Sequence, residues 1–157
     1  MAVASERVDL IFLLSQAAHA LQTEMTAALE AIGVTPRMHC ILSRAVHGEF
    51  TQKELADQCA LDKTTMVVTM DALEQAELAE RRPSPTDRRA RIIAVTEKGA
   101  ELVEQGDAII AGLYADVLQS LPEDQRDAFV GALQGLMDGR LSKPAVCQTT
   151  VRRPRSS

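Results

Sequence analysis

Residues 81–91 hold five arginines, Arg81, Arg82, Arg88, Arg89 and Arg91, against a single carboxylate, Asp87. A guanidinium is always charged, and its planar fork of donors fits phosphate oxygens, so this run suits attachment to a polyanion. Asp87 stands two residues before Arg89 in a turn-rich run, Pro83-Ser84-Pro85-Thr86-Asp87. A carboxylate so placed is expected to hold an arginine by an ion pair and aim it, which lowers the cost of ordering that side chain when it binds. Upstream, Lys63, Thr64 and Thr65 follow Asp62, a residue suited to cap a helix. On a helix's first turn such side chains reach phosphates and base edges, and Thr65 and Val67 carry methyls able to touch a thymine methyl. Taken alone, each feature also fits a solvated helix start or a charged turn; their order along the chain is what gives them weight.

The elements that must position these residues are legible from caps and periodicity. Thr51-Gln52-Lys53-Glu54 matches a capping box and opens a short helix with Leu55, Ala56 and Cys59 turned inward. Ala60-Leu61 makes the turn, and Asp62 caps a helix reaching about Ala76, with Met66, Met70 and Leu73 as its buried stripe. Two helices joined this way form a helix-turn-helix. Leu78–Arg82 and Arg91–Thr96 read as two strands of a hairpin, a wing that must lean on the helices because two strands alone are marginal. Around this lobe lie long helices. The first runs from about Glu6 to Ile32 with a heptad seam of Ile11, Leu14, Ala18, Leu21, Met25, Ala28 and Ile32. Gly33 stops it, and Thr35-Pro36 starts a second helix that runs to about His47. Thr96-Glu97-Lys98-Gly99 caps a fifth helix with Leu102, Ile109, Leu113 and Val117 on its inner face, ending near Ser120. Pro122 opens a sixth carrying Phe129, Leu133, Leu136 and Met137 up to Gly139.

The expected fold class is therefore mainly α, α+β in detail: a winged helix-turn-helix with a two-stranded β-wing and long N- and C-terminal helices that join two copies. We expect one domain over residues 1–142, with dimerisation helices at about 6–33 and 97–140, a DNA-binding lobe at 36–96, and a basic, disordered tail at 143–157. Aromatic residues at only 3%, with no Trp, agree with a helical core of aliphatic side chains. The apolar seam and faces exceed what one small winged helix can cover, so a homodimer is expected.

A net charge of −5 argues superficially against nucleic acid, but the sum hides its distribution. The tail takes four basic residues and no acidic ones, leaving 13 of the 17 basic residues against all 22 acidic ones in residues 1–142. The arginine run is the one strong basic patch in the folded part, and a local patch is what attraction to phosphate needs. Cys40, Cys59 and Cys147 show no C-x-x-C pairing, which suits a reducing compartment without disulfides or a cysteine zinc site. No signal peptide or membrane span is visible, so a cytoplasmic protein without membrane contact is expected. With no Gly-rich phosphate loop, carboxylate pair or nucleophile motif, the chain does not read as an enzyme.

Residues 51–99 resemble the multiple-antibiotic-resistance regulator (MarR) family of transcriptional regulators. The resemblance lies in L-A-x-x-x-x-L-D from Leu55, D-x-L-E at Asp71–Glu74, E-R-R-P at Glu80–Pro83, the D-x-R wing and V-T-x-x-G from Val95. Helices on either side match in order, extending it to roughly residues 6–140. It implies a dimer joined by the first and last helices and acting on a pseudopalindromic double-stranded DNA operator, with half-sites roughly 34 Å apart. It also implies that Asp87 and Arg89 are the wing pair, Arg89 entering the minor groove, and that Lys63 to Val68 read bases. The expected DNA-contacting set is Thr51, Gln52, Lys63, Thr64, Thr65, Val67, Arg82, Asp87, Arg88, Arg89 and Arg91. Val67 and Val68 depart from the polar residues common in the family, and Val68 cannot hydrogen-bond a guanine, which shifts preference toward methyl contacts and DNA shape.

Kinship further implies a small aromatic or phenolic effector held between the dimer helices and the reading lobe, for which His19, Met25, His39, Arg44 and Tyr114 are the candidates beside ordinary packing roles. No cofactor or metal is expected. His39 stands where a metal-sensing branch has a ligand, but zinc needs about four ligands and the fifth helix offers no histidine. The thiol of peroxide-sensing relatives is absent from the first helix, which reads Leu10-Ile11-Phe12-Leu13-Leu14. The function expected is a ligand-responsive repressor. The alternatives left open are a constitutive or architectural DNA binder and a winged helix used for protein–protein dimerisation.

Overall fold

The computed structural model describes residues 8–145. Its elements run α1 Leu10–Glu30, α2 Pro36–Ala45, α3 Gln52–Gln58, α4 Lys63–Gln75, β1 Ala79–Pro83, β2 Arg91–Val95, α5 Glu97–Gln119 and α6 Glu123–Asp138. This is the mainly helical winged helix-turn-helix expected from the sequence. The basic tail from residue 146 onward and the expected helix start at Glu6 lie outside the described residues.

Local chemistry sets most boundaries. Asp9 caps α1 by accepting from the Phe12 N–H at 2.9 Å. Gly33 follows that helix at φ 75°, the left-handed conformation a glycine adopts without steric cost. Thr35 caps α2 with Pro36 in the first turn. At α3 the capping box is complete: the Thr51 hydroxyl accepts from the Glu54 N–H at 3.2 Å, and the Glu54 carboxylate accepts from the Thr51 N–H at 2.8 Å. Asp62 does the same service for α4, accepting from the Thr65 N–H at 2.9 Å. The turn between these two helices passes through Ala60 at φ 52°, and α4 ends through Glu77 at φ 61°. Both are left-handed positions occupied by residues with a Cβ, at a cost of roughly 1–2 kcal/mol each.

The chain forms two compact units that divide within α5, between Tyr114 and Ala115. In the first, α2, α3 and α4 pack around Leu29, Ile41, Leu42, Leu55, Met66, Met70, Leu73 and Leu78, all essentially inaccessible to solvent. Strands β1 and β2 pair antiparallel, with Ala79 opposite Val95 and Arg81 opposite Ile93. Ala79 and Ile93 turn into the core, while a bridge between Thr51 and Ile92 and a bond from the Ile93 N–H to the Phe50 carbonyl at 3.0 Å tie the wing to the start of α3. Such anchorage supplies what an isolated hairpin lacks.

Helix α5 meets this core through Gly99, Val103 and Gly106, and Leu102 and Ile109 are half-buried beside them. The expected inner face is thus partly displaced, with Val117 exposed. The two glycines allow a close approach to the core: a Cβ on Gly99 would lie 2.0 Å from the Leu78 carbonyl oxygen, and one on Gly106 would lie 2.4 Å from the His39 ring. In the second unit, Arg126 on α6 donates to the carbonyls of Gln119, the last residue of α5, and of Leu121 in the connection that follows. No residue of α6 is buried.

Candidate nucleic-acid interface

The first turn of α4, the start of α3 and the wing converge on an open cavity of about 770 Å³. Thr51, Gln52, Lys63, Asp87, Arg89 and Arg91 of the expected DNA-contacting set line it, over a floor that includes Ala56, Leu61 and Met66. Lys63 and Thr64 are exposed, Thr65 and Val67 are half-buried, and Val68 is 63% exposed. Thr65 is already engaged, its hydroxyl donating to Asp62 at 2.7 Å. That bond and the Thr65 N–H hold the Asp62 carboxyl below the usual carboxylate range, the N–H being the larger cause.

The five arginines divide into two groups. Arg81 is not a free cation. Its Nε donates to Gln52 Oε1 at 2.8 Å on α3, and its Nη2 donates to Asp71 at 2.8 Å and toward the Val67 carbonyl at 3.4 Å on α4. Its Nη1 pairs with Glu74, whose other oxygen accepts from the Arg81 N–H at 2.8 Å. One guanidinium therefore clamps α4 to α3 and to the wing. Arg82 pairs with Glu80 on its own strand, exposed to solvent. Among the described residues Arg88, Arg89 and Arg91 make no ion pair, and all three are exposed at or beside the hairpin tip. The charge available to phosphate is concentrated there.

Asp87 corrects one expectation. Its carboxylate accepts from the Arg89 backbone N–H at 2.9 Å and makes no ion pair with an arginine among the described residues. A short side chain in a turn reaches the N–H two residues on at little entropic cost, whereas holding a guanidinium would fix a long flexible chain. Asp87 therefore shapes the tip and aims Arg89 through the backbone. Ser84 assists, its hydroxyl accepting from the Thr86 and Asp87 N–H groups at 3.3 and 3.2 Å.

The five effector candidates are dispersed, and none lines the cavity above. His19 is exposed on α1, Met25 packs half-buried against the core, and Tyr114 is 41% exposed on α5. Arg44 is exposed and donates from Nε to the Gln58 carbonyl at 3.3 Å. His39 alone is buried. Its Nε2 lies 3.0 Å from the Asp107 carboxylate of α5, which is itself exposed. Those residues contain no group of three or more His, Cys, Asp or Glu able to hold a metal ion. No described helix is long and apolar enough to cross a membrane.

Residues 35–90, from the cap of α2 to the wing, match the MarR family. The chain is 31% identical over 97 residues to the HTH-type transcriptional regulator MhqR of Bacillus subtilis (strain 168), covering 61% of this chain and 67% of that protein. Two solved structures of CouR, the second from Rhodococcus jostii RHA1, share the fold. The transcriptional repressor CouR bound to a 23-mer DNA duplex gives a TM-score of 0.73 at 26% identity, over 81% of this chain and 91% of that one. CouR bound to p-coumaroyl-CoA gives 0.71 at 25% identity, over 90% and 96%.

Proposed function

The chain belongs to the MarR family of transcriptional regulators, and from that premise we propose that it acts as a homodimer on a pseudopalindromic operator in duplex DNA, as a ligand-responsive repressor in the cytoplasm. One observation supports the DNA reading: Lys63 on the first turn of α4 and two exposed wing arginines, Arg89 and Arg91, which make no ion pair among the described residues, line one open cleft, with the helix clamped to the wing by Arg81. Helix α4 enters the major groove, where Lys63, Thr64, Thr65 and Val67 meet phosphates and base edges, while Arg89 enters the adjacent minor groove and Arg88 and Arg91 neutralise phosphates. Thr51 and Gln52 stand at the N-terminus of α3, whose N–H groups and dipole favour a phosphate.

The homodimer reading is supported by apolar surface. Ile11 is 79% exposed on α1, with Leu10, Phe12 and Leu13 beside it, and Phe129 and Met137 are exposed on α6. Rows of this kind are expected to be covered by a second copy. An effector is supported by CouR, solved on DNA and with p-coumaroyl-CoA. A ligand that prefers one spacing of the two reading lobes would change operator affinity by that preference.

Selection of bound genomic fragments by the full-length protein, followed by footprinting, tests this. The expected result is a discrete palindrome whose half-sites lie about one helical turn, roughly 34 Å, apart or a multiple of it. A diffuse pool without symmetry, its binding lost steeply with salt, would instead make the protein an architectural binder.

A further inference from the structure

We propose that Thr96 and Lys98 are positioning residues: they fasten the end of α4 to the start of α5 and so set which separation of operator half-sites the protein accepts. This role rests on the DNA reading above, with α4 as the recognition helix and a second copy carrying the other half-site. Neither side chain lines the open cleft, so neither is placed to touch DNA there.

A helix leaves its last carbonyls without intrahelical partners, and they carry the negative end of its dipole. Helix α4 ends through the left-handed Glu77, and the three successive carbonyls of Ala76, Glu77 and Leu78 all accept from the start of α5. Lys98 Nζ donates to the Ala76 carbonyl at 2.9 Å. The Thr96 hydroxyl donates to the Glu77 carbonyl at 2.8 Å, and the Thr96 N–H donates to the Leu78 carbonyl at 3.1 Å. That same hydroxyl accepts from the Gly99 N–H at 3.0 Å, so one oxygen caps the start of α5 and holds the end of α4. Gly99 lets the two segments meet, because a Cβ there would strike the Leu78 carbonyl oxygen. The Lys98 bond is charge-assisted and puts a cation where the α4 dipole favours one.

Helix α4 packs on α2, α3 and β1, and Met66, Met70 and Leu73 keep its inner face on the core. The joint ties it instead to α5, the helix by which the chain leaves the first compact unit. Lys63 stands at the far end of the 13-residue α4. At 1.5 Å per residue that end lies about 20 Å away, so a tilt of about 5° at the joint carries Lys63 by roughly 1.7 Å. Two copies tilting alike change the half-site separation by up to about 3.4 Å, one base-pair step. A joint that holds the tilt therefore makes the protein selective for spacing, and a loosened joint makes it tolerant.

The test compares the full-length protein with Lys98→Met, which keeps the aliphatic stem and removes the donor. Each is titrated against the duplex recovered by genomic selection and against versions with one base pair inserted or removed between the half-sites. The native protein should favour one spacing about tenfold or more. Lys98→Met should bind that spacing about fivefold less tightly and discriminate less among the three, with an unchanged salt slope. Amide exchange at Ala76, Glu77 and Leu78 should quicken in the same variant. Lys98→Arg, which keeps a cationic donor, should retain the native preference. Thr96→Val should flatten the preference and Thr96→Ser, which keeps the hydroxyl, should not. An equal loss of affinity at all three spacings, or no loss at any, would overturn the positioning role. A salt slope shallower by about 0.9 would make Lys98 a phosphate contact and overturn it as well. Native protein that recovers no duplex with paired half-sites refutes the DNA reading and this role with it, while quickened exchange in Lys98→Met would still establish the joint.

Discussion

Replacing Arg81 by methionine separates a clamp from a phosphate contact. The substitution keeps much of the aliphatic stem and removes the guanidinium, with its bonds to Gln52, Asp71 and Glu74. Arg81 is 21% exposed, but Glu74 is 36% and Asp71 63%, so water can rehydrate both carboxylates once the cation is gone. Glu74 also keeps its bond from the residue-81 backbone N–H. The full penalty of stranding a buried charge therefore does not apply, and a loss of about 2 kcal/mol is expected, the scale of hydrogen bonds to charged groups. In a chain of this size that lowers the melting temperature by roughly 4–8 °C. Operator affinity should fall because α4 and the wing are no longer held together. The slope of log affinity against log salt should stay put, since no phosphate contact is removed. Calorimetry and fluorescence anisotropy across a salt series check both halves. A variant of native stability whose salt slope drops by about 0.9, the signature of one lost phosphate contact, would refute the clamp.

Arg89→Ala should show the opposite pattern, native melting with weaker DNA binding and a salt slope shallower by about 0.9; unchanged affinity at fixed salt in an intact dimer would remove Arg89 from the interface. Gly106→Ala places a methyl 2.4 Å from the His39 ring and should cost about 1–3 kcal/mol, partly recovered by adding His39→Ala; equal melting of the single and double variants would contradict that contact. Glu77→Gly relieves a left-handed residue and should stabilise by about 1 kcal/mol, read from denaturant midpoints. Acid should destabilise α3 and α4. Glu54, through the Thr51 N–H and then its hydroxyl, and Asp62, through Thr65, are held below the usual carboxylate range. Their stabilisation is complete above that range and is lost as pH falls through the depressed values. Glu54→Gln with Asp62→Asn should flatten the acid limb of stability against pH, and an unaltered limb would count against these caps.

What could be read from sequence was local. A capping box, a proline after a threonine, a carboxylate before a helix and a glycine after one each act within a few residues, and Thr51, Thr35, Asp62 and Gly33 all perform as their spacing implies. What could not be read depends on approach between distant elements. Gly99 and Gly106 carry no apolar side chain and so are invisible to a hydrophobic stripe, yet they let α5 lie against Leu78 and His39. Arg81 was indistinguishable by composition from its neighbours in the basic run. A signal did exist: Asp71 and Glu74 sit three apart on one helix face, and such an acidic pair calls for a cation. Finding it changes the electrostatics of the site. With Arg81 and Arg82 matched by carboxylates, the basic run delivers three available charges rather than five, all exposed at or beside the wing tip. The tip is shaped by a backbone bond to Asp87 rather than by an ion pair. On the proposed DNA reading, those three charges stay available to phosphate, so the strong dependence on salt that follows from phosphate contacts should reside in the wing while α4 supplies the smaller, base-dependent part.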